Sequence, residues 1–209
     1  MEFSTWLAFF AASWAISLSP GAGAIAAMSS GLNHGFKRGY FTTFGLILGI
    51  LTQILLVGAG LGALIATSSI GFALVKYLGV AYLVYLGVQQ WRAPATPMVA
   101  SNSNAALVTR RQLILRGWGI NAVNPKGTVF LLAVVPQFLD LKADLTQQYL
   151  VIAATLGFTD LVVMAGYTAL AARVLSALRS SHHIKIMNRT FGALFIGAGA
   201  LLATFKRSA

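Results

Sequence analysis

The chain has 209 residues, 57% hydrophobic and 9% charged, with 21 glycines and a mean hydropathy of +0.78. That is too little polar surface to cover a soluble globule, so the composition describes an integral membrane protein. The formal charge of +11 falls largely in alternate junctions between apolar runs, the asymmetry of a membrane topology, which argues against a nucleic-acid partner. The absence of cysteine excludes disulfides, thiol catalysis and thiolate metal sites.

In chain order, apolar runs fall at 5–30, 40–66, 70–91, 113–137, 146–172 and 190–205. Each is near the ~20 residues a helix needs to span a bilayer. The expected fold is all-α, a single polytopic transmembrane domain over 1–209. The first run follows Met1-Glu2-Phe3 with no basic segment, so it reads as a retained helix rather than a removable signal. It is broken by Ser19-Pro20-Gly21, with Gly23 just beyond. Proline removes a backbone donor and frees a carbonyl one turn back, which hydrocarbon tolerates only where protein or water supplies a partner. The second run carries Gln53 at mid-depth and the small-residue pairs Gly45-x-x-x-Gly49 and Gly58-x-x-x-Gly62, which permit close helix contact inside the molecule or in a homodimer. The third holds Lys76, read as a snorkelling anchor near an outer helix end. A Pro/Ser/Asn-rich stretch follows at 94–104, within a linker at 93–111 that separates half-repeats at 1–92 and 112–209. The fourth run contains Asn121 and is broken at Asn124-Pro125-Lys126. The fifth holds Asp160, which stands well inside a span, where a charged Asp costs about 2.5–3.5 kcal/mol on insertion scales. The sixth is the shortest.

Lys37 and Arg38, then Arg92, Arg110, Arg111 and Arg116, then Arg173, Arg179, Lys185 and Arg189 lie in three alternate junctions. The junction at 138–145 holds Lys142 with Asp140 and Asp144. The positive-inside rule then puts the basic junctions in the cytoplasm and the amino terminus outside, although Lys206 and Arg207 run against it. Trp6, Trp14, Trp91 and Trp118 read partly as interfacial belt residues. His34 and His182-His183 lack neighbouring acids at ligand spacing, and no metal or cofactor is expected.

Two odd-numbered sets of spans joined at the halfway point imply a second half that enters from the opposite side. Ser19-Pro20 pairs with Asn124-Pro125, Gly49 and Thr52 with Gly157 and Asp160, and Lys76-x-x-Gly79 with Arg189-x-x-Gly192. Two inverted three-helix repeats would bring the breaks of the first and fourth helices together near the midplane. A broken helix offers N–H groups that attract carboxylate and freed carbonyls that attract ammonium. Ser19, Pro20, Gly21, Gly23, Gln53, Asn121, Asn124, Pro125 and Lys126 are therefore the candidate substrate-binding residues for a small zwitterion. Asp160 is the candidate proton carrier, since desolvation favours its neutral form and water entry favours release. The alternatives are prolines that merely kink packed helices, an Asp160 that only caps backbone, a Gln53 that is helix glue, and a Lys126 that snorkels, offsets a substrate carboxylate or pairs with Asp160. A channel shares the broken helices; an intramembrane protease would need two opposed carboxylates, and zinc hydrolysis His and acid ligands at helical spacing, neither of which the chain has.

The motifs Ser17-Leu-Ser-Pro-Gly-Ala-Gly-Ala-Ile25, Leu32-Asn-His-Gly35, Gly79-Val-Ala-Tyr-Leu-Val-Tyr-Leu-Gly87, Asn121-Ala-Val-Asn-Pro-Lys126 and Val135-Pro-Gln-Phe138 span nearly the whole chain. On these, the chain resembles the lysine-exporter superfamily of bacterial efflux carriers, and within it the homoserine/threonine resistance branch. The resemblance implies export of small neutral amino acids (homoserine, its lactone or threonine) from the cytoplasm across the bacterial inner membrane by proton antiport. Many members of that family carry a titratable residue in the second helix where this chain has Gln53, which leaves Asp160 as the main proton candidate.

Overall fold

The computed structural model of the chain describes residues 1–67, 69–94, 108–173 and 181–204. Among these, every regular element is helical: α1 Phe3–Leu18, α2 Ala22–Gly39, α3 Phe41–Thr67, α4 Ser69–Arg92, α5 Arg110–Ala122, α6 Pro125–Val134, a 3-10 turn Val135–Gln137, α7 Leu145–Arg173 and α8 Ser181–Thr204. Most of the 93–111 linker lies outside the described residues, as do Arg179, Lys206 and Arg207.

Both polar-Pro pairs break helices. A residue before proline is pushed out of the helical region by the pyrrolidine ring. Ser19 (φ −71°, ψ 120°) and Asn124 (φ −74°, ψ 109°) are accordingly extended. The first break bends α1 against α2 by 55°. At the second, Pro125 opens α6 at its first position, where a missing N–H costs least, and the Asn124 side chain accepts from the Lys126 N–H. A third reversal falls at Gly35, whose φ of 69° favours glycine and turns the chain so that Gly39 packs back against Ser30.

The helices α3 (Phe41–Gly60) and α7 (Leu145–Ala172) are each long and apolar enough to cross a membrane, and the bent α1–α2 pair makes a third such unit. Their outward residues are apolar, among them Leu55 at 74% and Leu150 at 66% exposure, as a lipid-facing surface requires. The helices α4 and α8 have 24 residues each, about 36 Å at 1.5 Å per residue. The α8 helix begins at Ser181, well before the expected start at 190. Lys185 and Arg189 are thus on a helix and not in a junction, because nothing in 181–189 breaks the helical ladder.

Glycine sets which helices touch. A Cβ on Gly45 would lie 2.0 Å from the Ile114 carbonyl oxygen, and one on Gly117 2.3 Å from that of Thr42, so α3 and α5 are in backbone contact. Gly31 meets Thr168 in the same way, joining α2 to α7, while Gly87 and Gly192 face one another where α4 crosses α8. The Gly45/Gly49 and Gly58 surfaces are thus used within the molecule, against α5 and Tyr149 respectively.

One end of the bundle gathers the basic segments. Arg38 donates to the Val108 carbonyl at 2.6 Å, the Arg110 guanidinium lies 4.9 Å from the centre of the Phe41 ring, and Asn188 donates to the Ala93 carbonyl at 3.2 Å. At the other end Met1, Leu139 and Leu141 pack against the same buried cluster around Phe9 and Phe138, and Gln148 staples the 140–144 turn by bonds to Asp140 and Asp144. The α1–α2 unit runs from the Met1 end to the basic end and α5–α6 runs back, so the two broken segments cross in opposite senses.

Candidate functional site at the paired helix breaks

Two apolar clusters sit at either end of a polar layer. Phe9, Ile54, Phe130, Val134, Phe138 and Ile152 lie toward the Met1 end, and Ala27, Met28, Val163, Met164 and Tyr167 lie toward the basic end. Between them is a cavity of about 50 Å³ lined by Ile16, Ser17, Ser19, Gly21, Gly23, Ala24, Leu46, Ile50, Asn121, Asn124, Lys126, Gly127, Asp160 and Met164. Asp160 is 6% exposed near the midpoint of α7, so it faces the bundle interior as its insertion cost demands.

The two breaks meet here. The Lys126 ammonium donates to both the carbonyl and the hydroxyl oxygen of Ser19, each at 2.8 Å, across 107 residues of sequence. Asp160 lines the same cavity and attracts that ammonium. Lys126 is therefore directed inward, and the snorkelling alternative is set aside. The Ser17 hydroxyl bonds the Asp160 carboxyl and lies 3.1 Å from the Thr159 hydroxyl, which in turn donates to the Leu156 carbonyl.

Backbone groups freed by the prolines are almost all taken, and this corrects the expectation that both breaks offer bare carbonyls. In the first, Leu18 O accepts from the Tyr167 hydroxyl and Ser19 O from Lys126. In the second, the Gln53 amide nitrogen donates to Asn121 O at 2.7 Å and Asn124 O at 2.9 Å, while the Asn121 amide donates to Leu46 O and that of Asn124 to the Asn121 side chain. Gln53 thus serves the break rather than Asp160, and it stands outside the cavity lining. Pro20 and Pro125 are also outside the lining; they shape the breaks without facing the space. The other seven candidates, Ser19, Gly21, Gly23, Asn121, Asn124, Lys126 and Asp160, line it together.

The breaks also differ at their helix starts. Asn124 caps α6, whereas Gly21 gives α2 no side-chain cap, and Gly21, Gly23 and Ala24 at this uncapped start line the cavity. This end of the site suits an anion, and the Asp160 side suits a cation. Sequence reasoning missed Tyr167 and Ser17. A tyrosine in an apolar run carries no signal of its own; Ser17 stands inside the Ser17-to-Ile25 motif, but only folding shows that it faces Asp160. Trp6 and Trp118, expected partly at the interface, donate to Thr155 and Thr52 and tie α1 to α7 and α5 to α3.

Broken helices that meet at a charged, glycine-walled cavity within an apolar bundle are the build of a membrane transport protein. The chain belongs to the LysE type translocator family, whose model matches residues 14–205. It is 42% identical over 208 residues to an uncharacterized membrane protein of Vibrio cholerae, covering 99% of this chain and 100% of the relative. It is 39% identical over 208 residues, covering 100% of both chains, to the homoserine/homoserine lactone efflux protein of Salmonella typhi. A leucine efflux protein of Enterobacter sp. (strain 638) is 31% identical over 195 residues, 90% of each chain. No solved structure matches the chain.

Proposed function

We propose that this protein is a secondary carrier that exports small neutral amino acids, homoserine, its lactone and threonine among them, across the bacterial inner membrane in exchange for protons. The observation that carries this reading is the convergence of both helix breaks on one cavity beside Asp160. Full-length similarity to a homoserine/homoserine lactone efflux protein supports the substrate class, and the leucine efflux relative supports a neutral side chain.

The substrate carboxylate takes the uncapped start of α2, and its ammonium takes the Ser19 and Asp160 side. Asp160 gives up its proton to the cytoplasm before substrate binds and regains one from outside as substrate leaves. Six spans in two inverted three-helix repeats, with the amino terminus outside, would let one half rock against the other about this fixed site. The opposite senses of α1–α2 and α5–α6 and the shared basic end favour that architecture.

The deciding experiment is efflux from liposomes loaded with a panel of amino acids, with and without an imposed pH gradient. Saturable, trans-stimulated efflux of neutral amino acids that accelerates with acid outside is the expected result. Ohmic conductance in a planar bilayer would instead make the protein a channel, and gradient-insensitive efflux would remove the proton.

A further inference from the structure

Resting on the reading of this cavity as an amino-acid site, we infer that Lys126 is a built-in stand-in for the substrate ammonium, which holds the empty site closed and swings to the substrate carboxylate on binding. Its Nζ sits where an α-ammonium belongs, 2.8 Å from both oxygens of Ser19 and facing Asp160. An isolated cation at this depth is costly, and these partners are what the interior offers it.

The space argument is independent. A buried water needs roughly 10–15 Å³ on the measure by which this cavity holds about 50 Å³, so there is room for a few waters and not for an amino acid. What fills the remainder is Lys126 itself: a Cβ placed on Gly21 would come within 3.3 Å of both its Cδ and its Nζ. Substrate therefore enters only as the lysine leaves Ser19. The displaced ammonium needs a new partner, and the nearest anion on entry is the substrate carboxylate at the start of α2, beside Gly21. One side chain thus recognises the carboxylate of the loaded state and replaces the ammonium in the empty one.

Homoserine and homoserine lactone separate these roles, because both carry the ammonium and only the first carries a carboxylate. The test is counterflow exchange of each compound by wild type, Lys126→Met and Lys126→Cys in liposomes. In Lys126→Met, KM for homoserine should rise and KM for the lactone fall, changing their ratio about tenfold, the loss of one charge-assisted contact. The chain has no native cysteine, so Lys126→Cys can be treated with 2-aminoethyl methanethiosulfonate, which forms a mixed disulfide, releases methanesulfinate and restores an ammonium. That treatment should return the ratio toward wild type, and the neutral methyl reagent should not. An equal shift for both compounds, or a ratio unmoved in a wild type that exchanges both, overturns the assignment alone. A wild type that exchanges neither overturns the reading beneath it as well.

Discussion

Asp160 buries its carboxyl against Ser17 and toward Lys126, and an Asn of the same size would keep a bond to Ser17 but no longer offset the lysine's charge. The role proposed for this acid is the exchange of its proton, which an amide cannot perform. Asp160→Asn should therefore abolish gradient-driven efflux from liposomes while sparing counterflow exchange; uphill transport at the wild-type rate would remove its assigned role. Tyr167 is a different case, since its hydroxyl satisfies the Leu18 carbonyl at the first break. Tyr167→Phe leaves that buried carbonyl short of a donor, and thermal unfolding in detergent should report a loss of about 1–3 kcal/mol. Gly23 stands between these two. A Cβ there would meet Leu46 at 3.6–3.8 Å, an ordinary contact, so Gly23→Ala should fold normally and raise KM by filling cavity space. Asp160 was legible in the sequence because an acid in an apolar run is conspicuous, whereas Tyr167 and Ser17 were not marked out for their roles, because only folding brings them to the break.

Among the elements, the decisive contacts are those between helices brought together by glycine. The α3–α5 seam depends on Gly45 and Gly117 facing carbonyl oxygens at distances no methyl group tolerates. Gly45→Ala should cost roughly 1–3 kcal/mol by forcing the helices apart, seen as a lower Tm and loss of the Gln53 bonds to the second break. Gly60→Ala, with nothing within 4 Å of the added carbon, is the matched control and should leave Tm unchanged or slightly raised. The sequence marked the breaks well, because the conformational limits of an X-Pro pair are local. It marked the helix start at 181 poorly, since a polar first turn reads as a junction when only hydropathy is followed. It also pointed to freed carbonyls that would be bare, and they are not. Their partners come from Gln53, Tyr167 and Lys126, which lie 68 to 149 residues away.

For the whole molecule, the geometry separates the charged junctions into two ends. Arg38, Ala93, Val108 and Asn188 are drawn together at one end, and Asp140, Lys142 and Asp144 sit at the other with Met1. With the basic end in the cytoplasm, single cysteines replacing Arg111 and Lys142 should label from opposite sides of intact cells. An impermeant maleimide added outside should reach only the second. Labelling of both positions from one face would dismantle the proposed inverted arrangement and the alternating access built on it.

The sequence alone determined that this is a helical membrane protein, where its helices break, and that an acid and a lysine lie at those depths. These follow from hydropathy, proline stereochemistry and the cost of burying charge, all properties of short segments. The tertiary structure alone decided that the breaks face one another, that the second is capped and sealed while the first keeps an open helix start, and that Lys126 occupies the space between them. Those outcomes depend on which glycines let which backbones approach, and close approach is a relation between segments distant in the chain that no local pattern encodes.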